Sequence, residues 1–170
     1  MTNNDIFRRI RYVFDFSDTK IIKIFALADC TVSREQMSDW LKKDDDPVFQ
    51  VISDEMFATF LNGLINDKRG KKAGEQPKPE TQLNFNIIFR KLKIALNLQA
   101  DDVLEILQLA DFTLSKHELS AFFRKTGHKH YRTCKEQVIR YFLNGLQLKF
   151  RPSSNKEEPA DGNSYNPWLN

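Results

Sequence analysis

Apolar residues recur along the first third of the chain at intervals of three and four. Ile6, Phe7, Ile10, Val13 and Phe14 share one helix face, and Ile21, Ile24, Phe25, Leu27 and Ala28 share the face of a second helix. A third stripe of Met37, Trp40 and Leu41 follows Ser33. The Ser33 hydroxyl can accept a backbone N–H of the first turn, and Gln36, three residues on, can reach back to the Ser33 N–H. A fourth stripe of Met56, Phe57, Phe60, Leu61 and Leu64 follows Ser53, another capping residue. Four helices are predicted before residue 70.

The same pattern then returns. Residues 86–146 lie over residues 4–64 without a gap at an offset of 82, with 17 of 61 positions identical. The twin stripes are Ile88, Phe89, Leu92, Ala95 and Leu96; Val103, Ile106, Leu107, Leu109 and Ala110; Leu119, Phe122 and Phe123 behind Ser115 and Glu118; and Val138, Ile139, Phe142, Leu143 and Leu146. The last helix is expected to be capped by Thr133 with Glu136, half a turn away from its twin's start at Ser53. Phe60-Leu61-Asn62-Gly63-Leu64 recurs unchanged as Phe142-Leu143-Asn144-Gly145-Leu146. A helix-interior glycine costs about 1 kcal/mol relative to alanine, so its presence in both copies predicts a neighbouring helix passing close to the backbone there.

The predicted fold is therefore all-α, with two tandem four-helix units. The first helical repeat occupies residues 1–69, a Gly/Pro/Lys-containing linker 70–82, the second repeat 83–151, and a polar tail, read as disordered, 152–170. Units this small bury a low fraction of their surface. With 14 Phe in the chain, the two copies are expected to pack on each other about a pseudo-twofold axis; pairing between chains would bury the same surface.

The duplicated pattern of Phe-Arg, Leu-Ala-Asp-x-Thr, Ser-x-x-[Gln/Glu] and Phe-Leu-Asn-Gly-Leu, with Gly127-His128-Lys129-His130-Tyr131-Arg132 in copy two, resembles the YehS-like family of small bacterial cytoplasmic proteins. The resemblance spans roughly residues 1–150. It implies a bacterial, all-helical protein with a duplicated domain of unknown function, and brings no reaction, substrate or catalytic residue.

Composition adds limits. A hydrophobic fraction of 41% and a charged fraction of 29% fit a soluble globular protein. No apolar run approaches the roughly 20 residues of a membrane span. The start, Met1 to Asp5, lacks a basic segment and an apolar core of a secretory signal, so a cytoplasmic location is expected. Cys30 aligns with Phe112 and Cys134 with Ile52, so both are read as small core groups. No Gly-rich phosphate loop, nucleophile elbow or His-Glu-x-x-His occurs, and no catalytic residue, cofactor or metal is predicted. His128, His130 and Cys134 are too thin a set for zinc. Asp29 and Asp111, each just after a second helix, are expected to bind backbone N–H groups of the following turn.

Charge separates the copies. Residues 4–64 carry 8 Lys/Arg against 11 Asp/Glu, whereas 86–146 carry 10 against 6. Asp44-Asp45-Asp46 align with Thr126-Gly127-His128, flanked by Arg124, Lys125, Lys129, His130, Tyr131 and Arg132. That loop is a candidate anion grip, with Tyr131 able to stack on a base. Arg8, Arg9 and Arg11, matched by Arg90, Lys91 and Lys93, give helix one a basic face, and Lys68, Arg69, Lys71 and Lys72 add a run in or beside the linker. Helices two and three resemble a helix-turn-helix, with Lys116, His117, Ala121, Arg124 and Lys125 as the outward face in copy two. The leading expectation is a non-catalytic protein-interaction module whose partner is a protein or a second copy, using Phe-rich surfaces and the tail residues Trp168 and Leu169. The alternative is nucleic-acid binding through helix one, the linker and the 124–132 loop. No membrane association is expected.

Overall fold

Capping decides where the helices begin. Thr2, Ser17, Ser33, Ser53, Asn84 and Ser115 each accept a backbone N–H from the first turn of the helix that follows. The structure, a computed structural model, describes residues 1–152. In it α1 spans Asn3–Phe14, α2 Asp18–Leu27, α3 Arg34–Leu41 and α4 Asp54–Arg69. The second copy gives α5 Phe85–Ala95, α6 Ala100–Leu109, α7 Lys116–Ala121 and α8 Glu136–Phe150. No strand occurs among the described residues, and none of these helices is long and apolar enough to cross a membrane. The expected tail residues Trp168 and Leu169 lie outside the described residues.

Three local expectations need correction. Ser115 and Glu118 form the full reciprocal box, but in copy one only the Ser33 half is made. α8 starts at Glu136 with Lys135 at its N-cap, the position equivalent to Ser53, so the two fourth helices begin in register. Thr133 does not cap it, because Asn86 fixes the chain on both sides, holding the Arg132 carbonyl and the Cys134 N–H. Asp29 and Asp111 do not bind the following turn through their side chains; they supply left-handed backbone, with φ of 57° and 59°. Cys30 N–H donates to Phe25 O and Asp29 N–H to Ala26 O, and Phe112 and Asp111 repeat both bonds to Leu107 and Gln108. This closes the last turn of α2 and of α6. Asp15 and Asn97, another aligned pair, end α1 and α5 in the same conformation, with φ of 52° and 53°.

A left-handed conformation strains an L-residue, and a carboxylate at a helix C-terminus opposes the dipole. Asp111 is exposed, and its carboxylate has no ion-pair partner among the described residues. Asp111→Gly is therefore expected to stabilise the chain by about 0.5–1 kcal/mol, and Asp111→Ala to destabilise it by about 1 kcal/mol, both read as shifts of the urea midpoint.

Within each copy the second helix packs on the third and fourth; the first helix of each copy also crosses to the fourth helix of the other, α1 on α8 and α5 on α4. The copies are thus related by a pseudo-twofold axis. Phe7 stands edge-on to Phe25, Trp40, Phe57 and Phe60, and Phe89 meets Phe122, Phe123 and Phe142 in the twin. The buried apolar side chains of both copies form one continuous core. Of the stripe phenylalanines, Phe7, Phe25, Phe57, Phe60, Phe89 and Phe142 are fully buried, and Phe14, Phe122 and Phe123 are half-buried against the core.

The expected close approach at the glycines is present. A Cβ built on Gly63 would lie 2.0 Å from the Ile24 carbonyl oxygen, and one on Gly145 2.0 Å from that of Ile106. Both cysteines belong with the core: Cys30 is half-buried against Met56 Sδ at 3.9 Å, and burial pushes the Cys134 thiol up to about 12. The linker is held at several points, by Lys71 on Asp29, Gln76 on Asn66, Glu80 on Lys91 and the Leu83 N–H on Asp54.

Candidate nucleic-acid interface

The junction between the copies claims part of the expected basic surface. Arg9 is 3% exposed and donates to Asn144 Oδ1 at 2.6 and 3.0 Å and to Gln147 Oε1 at 3.1 Å. Its twin Lys91 is 8% exposed and donates to Asn62 Oδ1 at 2.5 Å, with Glu80 at 3.0 Å. Asn62 and Asn144 are themselves twins, so the same contact is made once in each direction across the pseudo-twofold axis. Burial, with the Arg140 charge nearby, pulls the Arg9 guanidinium down to about 10, still protonated at neutral pH. Arg9 and Lys91 therefore join the copies and are not surface anion contacts, which corrects the expectation for them.

Arg8 is also engaged, donating to the Lys42 carbonyl at 2.5 Å and pairing with Asp5 at 2.6 Å and Asp44 at 3.4 Å. Arg11 pairs with Asp18 at 3.4 Å. Within the linker run, Lys71 is on Asp29, and Lys68 lies over the rings of Phe14 and Phe16. Helix one of copy one therefore contributes no uncompensated basic face.

Copy two differs. Arg90 and Lys93 lie one turn apart on α5; Arg90 is exposed, and Lys93 lies over the Phe123 ring at 5.2 Å, where the 124–132 loop begins. Arg90 is the twin of Arg8, and the residues aligned with Arg8's partners Lys42 and Asp44 are Arg124 and Thr126. Arg124, Lys125, His128, Lys129, His130 and Arg132 are exposed, and Tyr131 is half-buried. Among the described residues no carboxylate pairs with Arg90, Lys93, Arg124, Lys125, Lys129 or Arg132. An exposed Lys or Arg without a carboxylate partner keeps its charge available to an incoming anion.

The loop carrying these cations has a defined shape. His128 N–H donates to Lys125 O, Tyr131 N–H to His128 O, and Arg132 N–H to Ala121 O. Gly127 turns the chain at φ 94°. The loop's two ends are tied together by Asn86, 6% exposed, which donates to Phe122 O at 3.1 Å and Arg132 O at 2.8 Å and accepts from Cys134 N–H at 2.9 Å. Asn4 makes the same three bonds in copy one, to Trp40 O, Gln50 O and Ile52 N–H. The inner turn also recurs: His130 N–H donates to His128 Nδ1 as Val48 N–H donates to Asp46 Oδ1, each at 3.0 Å. One scaffold is thus built twice, acidic at Asp44–Asp46 and basic at the twin.

One further expectation changes. α7 ends at Ala121, which is 6% exposed and faces the core, so Arg124 and Lys125 lie on the loop and not on a recognition helix. Cys134 is turned inward, away from His128 and His130, and these three do not converge. The rings that do meet are the chain's three histidines: His117 and His130 at 6.2 Å between centroids, and His128 and His130 at 5.6 Å. The Asn4/Asn86 bracket and the Asn62/Asn144 junction partners went unread in the sequence, although each is an identical pair in the alignment.

The comparisons agree with the duplicated architecture. A family model described as a protein of unknown function (DUF1456) matches twice, over residues 3–70 and 85–151. The chain is similar to the uncharacterized protein YehS of Escherichia coli (strain K12), 41% identical over 150 residues that cover 88% of this chain and 96% of the relative. No solved structure matches it. Two matches in one chain reproduce the two copies joined through Arg9 and Lys91, and the chain belongs to this YehS-like family of duplicated helical proteins of unknown function.

Proposed function

We propose that the protein is a non-catalytic binding module that holds single-stranded nucleic acid on the 124–132 loop and the adjoining Arg90 and Lys93. The observation that carries this reading is the run of uncompensated cations interleaved with rings, those of His128 and His130 exposed and that of Tyr131 half-buried. Arg124, Lys125, Lys129 and Arg132 alternate with His128, His130 and Tyr131 on a loop whose twin is acidic. Cations track phosphates while rings stack on bases without regard to sequence. A helix-turn-helix reader presents its contacts on the recognition helix, whereas here Arg124 and Lys125 lie beyond the end of α7. Phe7, Phe25, Phe57, Phe60, Phe89 and Phe142 are buried and so do not themselves offer a partner surface.

A gel shift with unstructured RNA and DNA at low salt tests the proposal. The wild-type chain is expected to bind with steep salt dependence. Combined Arg124→Glu, Lys125→Glu and Arg132→Glu is expected to weaken binding roughly a hundredfold near 0.1 M salt, as the loss of three phosphate contacts dictates. Arg11→Gln, at a cation already paired with Asp18, is expected to change nothing. Absence of binding by the wild type at low salt overturns the proposal.

A further inference from the structure

The three histidines of this chain, one on α7 and two on the loop, meet on the candidate surface. His117 comes from α7, His128 and His130 from the loop, with His130 between the other two. Their twins in copy one are Glu35, Asp46 and Val48, so the cluster is a property of the basic copy alone. All three are exposed.

We propose that these imidazoles make anion binding by the loop proton-coupled, so that nucleic acid is held more tightly as the pH falls. This rests on the reading given under Proposed function and names how that same surface is regulated. Histidine is the side chain whose charge ordinarily changes between about pH 5 and 8. The charged groups on the surrounding elements are mostly cations. They are Arg90 and Lys93 of α5, Lys116 of α7, and Arg124, Lys125, Lys129 and Arg132 of the loop. Four carboxylates on α6 and α7 oppose them: Asp101, 3.1 Å from Lys116 Nζ, Asp102, engaged with the Gln99 N–H, Glu105, and Glu118, engaged with the Ser115 N–H. A bound phosphate backbone sets an anion beside the rings, which favours their imidazolium form. Binding therefore takes up protons, and by linkage it strengthens as pH falls and weakens as pH rises.

His128 adds a structural element to the coupling. Its Nδ1 accepts the His130 N–H at 3.0 Å, so it must be unprotonated there. A proton on Nδ1 turns that acceptor into a donor and releases the inner turn, freeing His130 to move toward a ligand. Copy one, with Asp46 as the acceptor, keeps its turn wherever the carboxylate is ionised.

The test is fluorescence anisotropy of the full chain with an oligothymidylate of about 20 nucleotides lacking a terminal phosphate, at fixed ionic strength near pH 8 and near pH 6. Wild type is expected to bind at least about tenfold more tightly at the lower pH, with a log–log salt slope steeper by up to about 2 if all three imidazoles contribute. A variant with His117→Gln, His128→Asn and His130→Gln keeps an acceptor at residue 128 but has no group to titrate. Its affinity is expected to be the same near pH 6 as near pH 8, whatever the loss of the rings does to its absolute value. A wild-type affinity that is flat with pH, or a gain that survives in the variant, overturns this inference and leaves the proposed function standing. Absence of binding at both pH values overturns the proposed function as well.

Discussion

Replacing Gly145 with alanine is expected to destabilise the protein by about 3 kcal/mol, the upper part of the range for overpacking a core. For a chain of this size that lowers the melting temperature by roughly 6–12 °C. The methyl group would occupy a point 2.0 Å from the Ile106 carbonyl oxygen and 2.8 Å from its carbon, where no atom fits. The obstacle is helix backbone, so α6 and α8 must separate, and the rows of Ile106, Leu107, Phe142 and Leu146 separate with them. In an open helix the same change would gain about 1 kcal/mol from propensity, which here offsets only part of the loss. Trimming Ile106 to alanine is not expected to rescue the variant: it removes the Cγ2 contact but leaves the carbonyl in place. Gly63→Ala is expected to behave alike against Ile24, and its combination with Gly145→Ala to be close to additive, since the two contacts lie in separate copies. Calorimetric melting checks all of these. A Gly145→Ala chain as stable as wild type would show that the crossing of α6 and α8 is looser than described.

What the sequence disclosed and what it hid follow from one distinction. Duplication lets two independent stretches report on the same positions, so the helices, the register between copies and the glycine contacts were legible from spacing alone. The function of a charged position was not. Arg9 lies between Ile6, Ile10 and Val13 on the buried stripe, and Lys91 lies likewise among Ile88, Leu92 and Ala95. Spacing pointed inward while residue type pointed outward, and residue type was the wrong guide. A long cation can be buried when an amide oxygen receives its head. Asn62 and Asn144 do this from the neighbouring copy, a relation no single-helix pattern contains. The candidate surface was half legible. The contrast between Asp44–Asp46 and the 124–132 loop is plain in the alignment. The meeting of His117 with His130 is not, because it requires α7 to stop at Ala121 and the loop to fold back over it.

Asn86→Ala is the change expected to join stability to binding. Three hydrogen bonds converge on this one side chain, and its removal leaves Phe122 O, Arg132 O and the Cys134 N–H without their partner. Leaving such groups unsatisfied in a buried setting is expected to cost about 3 kcal/mol in total, measured by urea unfolding. Asn86→Asp should be no milder: it keeps an acceptor for the Cys134 N–H but sets a carboxylate against two carbonyl oxygens. Asn4→Ala removes the same three bonds in copy one and is expected to cost a similar amount. The two variants should part company in nucleic-acid affinity, measured where both remain folded. Asn86 fixes the ends of the basic loop, so its loss lets Arg124, Lys125, Lys129 and Arg132 spread over many arrangements that a ligand must then reorder. Asn4 fixes only the acidic loop, and Asn4→Ala is expected to bind as wild type does. Equal weakening by both would trace the effect to stability alone. Equal affinity in both would separate the Asn86 bracket from recognition and leave the cations themselves as its sole determinant.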